Sequence, residues 1–167
     1  MSSCIVYIAM SEDGFIADER GNVDWLPHPD DPNDTLGYQK LIAQIDTIVM
    51  GRKSYEQICT FGDWAWKDKS TYVFSHHHID KIDPAIVQYQ KSPLEFMSEC
   101  ERMIWLLGGA ELIHSFAQQN LIHQYIITMI PNVFLRNGIF LQLPQYPPTE
   151  IHKNCAGDLV QYIYNIY

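Results

Sequence analysis

No apolar run in the 167 residues approaches the roughly 18 that a membrane-spanning helix needs. Basic residues are scarce: 11 Lys and Arg stand against 20 Asp and Glu, a formal net charge of −9 with histidine neutral. That balance argues against a nucleic-acid partner, which would need clustered cations. It leaves room for a phosphate ligand held by backbone amides and one or two local cations. The four cysteines, at 4, 59, 100 and 155, include no C-x-x-C pair. Neither a zinc knuckle nor a redox dithiol is therefore indicated, and free, mostly buried thiols are expected. The chain also lacks a basic leader: Met1-Ser2-Ser3-Cys4 runs directly into apolar residues, so a cytoplasmic protein with no membrane contact is expected. The run His76-His77-His78 invites a metal reading. Successive residues point in different directions, however, so no dedicated metal site is expected.

What the chain does have is enough apolar content, 47% against 19% charged, to fill a core. Neither linker, repeat nor low-complexity tract interrupts it, and one domain over residues 1–167 is expected. Residues 5–10 read as a buried strand, broken by Ser11-Glu12-Asp13-Gly14. Residues 23–34, with three prolines and four aspartates, read as a loop. Asp34 can cap a helix opening at Thr35, with Tyr38, Leu41, Ile42 and Ile45 at i, i+3, i+4 and i+7. Strands are expected at 46–50, 71–75, 104–107 and 125–130. Ser92-Pro93-Leu94-Glu95 is a full capping box, whose helix should turn Met97, Cys100 and Ile104 inward. A second amphipathic helix carries Leu112, Ile113, Phe116 and Ala117. The tail from 149 to 167, broken at Ala156-Gly157-Asp158, reads as a closing hairpin. Alternating strands and helices predict a three-layer α/β/α domain whose mixed sheet is mostly parallel, with an antiparallel C-terminal edge.

In such a sheet, ligands bind where strand-to-helix turns gather at the carboxyl ends of the strands. Three turns qualify. Gly51-Arg52-Lys53-Ser54 offers helix-start amides, two cations and a hydroxyl, a set suited to a phosphate, though a glycine turn before a solvated basic pair would look the same. Leu107-Gly108-Gly109-Ala110-Glu111 is not G-x-G-x-x-G. It nevertheless joins an apolar strand to an amphipathic helix, and its paired glycines let a ligand approach the backbone. Ser75-His76-His77 supplies hydroxyl and imidazole donors.

With these turns in place, the sequence resembles the dihydrofolate reductase superfamily, and within it the C-terminal reductase domain of the bacterial riboflavin-pathway deaminase–reductase. The matching pieces are Ser11-Glu12-Asp13-Gly14-Phe15-Ile16-Ala17 with Gly21-Asn22-Val23-Asp24-Trp25-Leu26, and Ile45-Asp46-Thr47-Ile48-Val49-Met50-Gly51-Arg52-Lys53-Ser54-Tyr55-Glu56. They continue with Trp105-Leu106-Leu107-Gly108-Gly109-Ala110-Glu111-Leu112 and Ile130-Pro131-Asn132-Val133-Phe134-Leu135-Arg136-Asn137-Gly138, all in the same order and spacing.

The resemblance implies an NADPH-dependent reductase acting on a small molecule, either a dihydropterin or a ribosylamino-pyrimidine of flavin biosynthesis. It implies that Ala9 and Ile16 present backbone groups to the nicotinamide. Arg52, Lys53 and Ser54, after Gly51, would hold cofactor phosphates, with Arg52 on the 2′-phosphate and Ser75 and His76 near the adenosine. Leu107, Gly108, Gly109, Ala110 and Glu111 would line the pyrophosphate path. On the substrate side it implies a carboxylate, Asp34 or its neighbours Asp30 and Asp31, with Thr128 as the partner hydroxyl and Trp25 closing over the ring. Asp34 also remains readable as a helix cap. Related reductases often form homodimers. A standalone reductase is expected, because the H-x-E and P-C-x-x-C pair of a zinc deaminase is missing. The competing reading is a nucleotide-binding or assembly module that keeps the fold without turnover.

Overall fold

The computed structural model describes residues 2–26, 37–80, 82–141, 150–156 and 158–166. Along the chain lie β1 (Ser3–Ser11), β2 (Phe15–Ala17), α1 (Tyr38–Gln44), β3 (Thr47–Gly51), α2 (Arg52–Cys59), β4 (Ser70–Phe74) and β5 (Ile86–Tyr89). There follow α3 (Pro93–Glu99), β6 (Met103–Gly108), α4 (Ala110–Gln118), β7 (Gln124–Ile130), β8 (Ile139–Phe140), β9 (Glu150–Ala156) and β10 (Leu159–Asn165). Among the described residues, eight strands form one sheet in the order β5-β4-β3-β6-β1-β7-β10-β9, and β2 pairs with β8. The pairs from β5 across to β7 are parallel. β10 runs antiparallel to β7 and to β9. The architecture is a mixed, mostly parallel sheet with an antiparallel C-terminal edge, as expected.

Alternation along the central strands divides the core in two. Val6, Val49, Ile104 and Leu106 face one side, where Phe96 of α3 and Ile113 and Phe116 of α4 cover them. Ile5, Ile48, Met50 and Trp105 face the other, against Leu41 of α1 and Tyr55 of α2. Successive side chains on a strand point to opposite faces, so strands covered by helices on both sides must be apolar throughout. Residues 48–50 of β3 and 103–107 of β6 are.

Several local expectations need correction. The described part of the first helix runs from Tyr38, with Gly37 at its N-cap, φ 71°. Its expected opening at Thr35 lies outside the described residues. Asp34, Asp31 and Asp30 lie outside the described residues. The capping box at Ser92 forms with both reciprocal bonds, but the residue that α3 buries is Phe96. Met97 and Cys100 pack only partly, and Ile104 belongs to β6. The cysteines are free, yet Cys4 alone is buried; Cys100 is half-buried and Cys59 and Cys155 are exposed. The short strand β5 at the sheet edge has too few residues to show a period and escapes sequence reading. Among the described residues no helix is long and apolar enough to cross a membrane.

Candidate functional site

β3 and β6 are neighbours, but the chain leaves them in opposite directions. From β3 it crosses by α2 to β4, and from β6 by α4 towards β7 on the other side. Right-handed crossovers in opposite directions put α2 and α4 on opposite faces, which opens a crevice between the carboxyl ends of β3 and β6. The two turns meet there. A side-chain carbon placed on Gly51 would lie 3.8 Å from the Gly109 amide nitrogen, and one placed on Gly109 would lie 3.6 Å from the Ser54 hydroxyl. Gly108 holds φ at 144°, a value L side chains rarely adopt, and its peptide to Gly109 is cis.

Both helix starts face this crevice without a side-chain cap. The N-cap of α2 is Gly51 and that of α4 is Gly109, and neither has a side chain to accept the first-turn N–H groups. Uncapped amides at the positive end of a helix are ready donors for an anion. α2 adds Arg52 and Lys53 and has no acid in its first turn, whereas α4 carries Glu111 there. Arg52 reaches Glu56 at 3.3 Å in a half-exposed pair, which a ligand phosphate can compete with or share.

The neighbouring strands bring Ala9 of β1 and Ser75, just after β4, to the same sheet edge. Ser75 is already engaged: its hydroxyl donates to the His77 carbonyl at 2.6 Å and accepts from the His77 amide at 3.1 Å. His76 is exposed. Leu107 is half-buried on the α1/α2 face. Ile16 is buried in β2 on the other face. Thr128 lies beside Ala9 in the ladder, buried, with its hydroxyl accepting from Gln161 at 3.1 Å. Half-buried Trp25 keeps a buried indole N–H with no acceptor among the described residues. No group of three or more His, Cys, Asp or Glu residues placed to hold a metal ion occurs among the described residues.

Three features were missed in the sequence. Gln57 of α2 donates to the Gly21 carbonyl at 2.9 Å and ties the turn before Trp25 to α2. A glutamine on an amphipathic helix gives no sign of this in advance. Asp13 accepts from the Ser11 hydroxyl at 2.7 Å and from the Leu135 and Arg136 amides at 3.2 and 2.8 Å. These bonds, the Ser11 hydroxyl foremost, hold its carboxyl below the usual carboxylate range. They also fasten the loop after β7 to the end of β1. Finally, an aromatic wall forms on the α1/α2 face. Trp105 meets the rings of Tyr7, Tyr38 and Trp66 edge-on, at centroid separations of 6.3, 6.1 and 5.4 Å, and the Trp66 indole donates to the Tyr38 hydroxyl at 2.8 Å.

A model of the RibD C-terminal domain matches residues 3–135. The chain belongs to that family. It is also similar to two Bacillus subtilis (strain 168) proteins that carry no assigned activity. YwjB is 34% identical over 140 residues, covering 81% of this chain and 79% of that protein; YyaP is 31% identical over 185 residues, covering 96% and 93%. Among solved structures, one from Shewanella sp. PV-4, named for riboflavin biosynthesis, superposes with a TM-score of 0.83 at 24% identity over 99% of both chains. Dihydrofolate reductase from Enterococcus faecalis, complexed with NADP(H) and RAB-propyl, superposes at 0.70 and 17% identity, covering 98% of this chain and 95% of that one. The fold of this RibD C-terminal domain protein is thus dihydrofolate reductase-like.

Proposed function

We propose that this protein is an NADPH-dependent reductase that delivers hydride to a carbon–nitrogen double bond, or its ring-opened equivalent, in a pterin or ribosylamino-pyrimidine. The observation that carries the reading is the pair of uncapped helix starts, α2 and α4, facing each other across the crevice between β3 and β6. Free first-turn amides, Arg52, Lys53 and the Ser54 hydroxyl beside Gly109 fit a dinucleotide's phosphates. NADPH, when bound, supplies the hydride.

The chain's own residues orient and exclude. Arg52 and Lys53 bind phosphate oxygens at the start of α2, and Leu107, Gly108, Gly109 and Ala110 let the pyrophosphate lie close to the backbone. Ala9 and Ile16 present main-chain groups to the carboxamide, and Ser75 and His76 stand near the adenosine end. Trp25, whose indole N–H has no acceptor among the described residues, and Asp31 serve the ring side of the substrate. Asp34 relays a proton to the acceptor nitrogen, with Thr128 as its hydroxyl partner. A carboxylate kept from water next to an apolar ring holds its proton more tightly, which suits it to that task.

Titration with NADPH while protein fluorescence is followed, then assay with dihydrofolate and with the pyrimidine substrate, tests the reading. Quenching together with oxidation of NADPH by one of these acceptors is expected. Binding without turnover on any acceptor would point instead to a nucleotide-binding module, and absence of binding would overturn both.

A further inference from the structure

Two rungs of polar side chains join β7 to β10. At one end Gln124 donates to the Asn165 side-chain oxygen at 2.7 Å, amide to amide. At the other, the Gln161 amide nitrogen donates to the Thr128 hydroxyl oxygen at 3.1 Å. Ile126 and Ile163 pair between the two rungs. Ile126 packs on the α1/α2 face of the core, as do Tyr7 and Leu107, so Thr128 two residues later turns to that same face. There it stands beside Ala9, near the carboxyl end of β1.

Thr128 is 2% exposed, and its hydroxyl has one proton to give as well as lone pairs to share. Gln161 occupies a lone pair, so the proton must point elsewhere, and no acceptor for it lies among the described residues. Burying an O–H without an acceptor is unfavourable. Here the O–H is held at the ligand edge, where an incoming group can take its hydrogen bond.

We propose that Gln161 is a positioning residue for the substrate end of the site: its amide N–H fixes the Thr128 hydroxyl so that the proton is donated to the carboxylate of the proton relay. This inference rests on the reductase reading above. Gln161 acts through Thr128 and not on the substrate itself. It lies 33 residues from Thr128 and beyond the stretch 3–135 that the family model matches. A donor held against the relay carboxylate favours its ionised form, so losing that orientation lets the carboxyl keep its proton to higher pH.

The test is a double-mutant cycle in the full chain: Thr128→Val, Gln161→Leu and the two together. The readouts are kcat, KM and the pH profile of kcat/KM with dihydrofolate or the pyrimidine substrate, NADPH dissociation constants and ligand-free melts. Gln161→Leu should lower kcat/KM about three- to tenfold, the weight of one hydrogen bond, and leave NADPH binding unchanged. The pH at which kcat/KM declines should move up. The double variant should be no worse than Thr128→Val alone, because Gln161 has nothing left to orient. Gln161→Glu, whose carboxylate can only accept, should capture the Thr128 proton and match Thr128→Val. Additive losses in the double variant would overturn the proposal. So would a lower melting temperature with kcat/KM and its pH profile unchanged. If the unsubstituted protein oxidises NADPH with neither acceptor, the reductase reading fails and this inference with it. If it turns over and the Gln161 variants match it, only the role of Gln161 falls.

Discussion

Arg52 occupies the first position of α2, where its charge is set against the positive end of the helix, and Glu56 one turn later offsets part of that cost at 3.3 Å. An exposed pair in this orientation adds little to stability, so a ligand phosphate can draw Arg52 away at small cost. Arg52→Ala should reduce the preference for NADPH over NADH about tenfold or more while leaving the melting temperature nearly unchanged, as read from paired titrations and a melt. Asp13 is the opposite kind of residue, structural and fully engaged. Its folded carboxyl is held below its ordinary value, so it binds fewer protons than the unfolded one would. The stabilisation is therefore present above the unfolded value and is lost as pH falls through the folded one. Asp13→Asn should melt earlier than the unsubstituted protein near neutrality, and the gap should close below about pH 4, where the carboxylate advantage disappears.

At the scale of elements, what shapes the ligand edge is how loops are fastened to strand ends. The loop after β7 is held by Asp13 and by Glu12, which accepts from the Asn132 amide at 2.9 Å. It continues into β8, which pairs with β2. Gly138 lies so close to β2 that any side-chain carbon there would run into the Ala17 carbonyl oxygen and press on the Phe15 ring. Backbone cannot swing aside as a flexible side chain can. Gly138→Ala should therefore cost about 1–3 kcal/mol, seen as a fall of several degrees in melting temperature. A fall of less than a degree would mean that β2 and β8 separate freely. The helices differ in how visibly they begin. α3 announces itself through Ser92-Pro93-x-Glu95, because its cap is made by its own side chains. α1, α2 and α4 start on glycines, and a glycine N-cap cannot be told from an ordinary turn until the fold shows what faces it.

For the molecule as a whole, a dinucleotide that binds only the folded state must raise its stability. At a hundredfold excess over the dissociation constant the gain is about 2.7 kcal/mol, which for a chain of this size raises the melting temperature by about 5–10 °C. A melt with and without saturating NADPH reads this directly; no shift would contradict the reductase reading. The acidic net charge works against any anionic ligand at long range, so binding should depend on the local cations of α2 and weaken as salt screens them.

Much of this was legible from the order of residues alone. Apolar runs ending in glycine turns identified the central strands, because a strand covered on both faces has to be apolar at every position. The fold class followed from alternation, and glycine, cation and hydroxyl in succession marked the turn after β3 as a candidate for a phosphate. Other properties had no local sign. That β6 inserts between β3 and β1, and so sets Gly51 against Gly109, is a matter of sheet order, which depends on contacts between segments more than fifty residues apart. The engagement of the Ser75 hydroxyl by His77, the bracing by Asp13 and the gathering of Tyr7, Tyr38, Trp66 and Trp105 are likewise products of packing. Local chemistry determines which turns are able to grip a phosphate; only the folded sheet decides which of them stand together to do so.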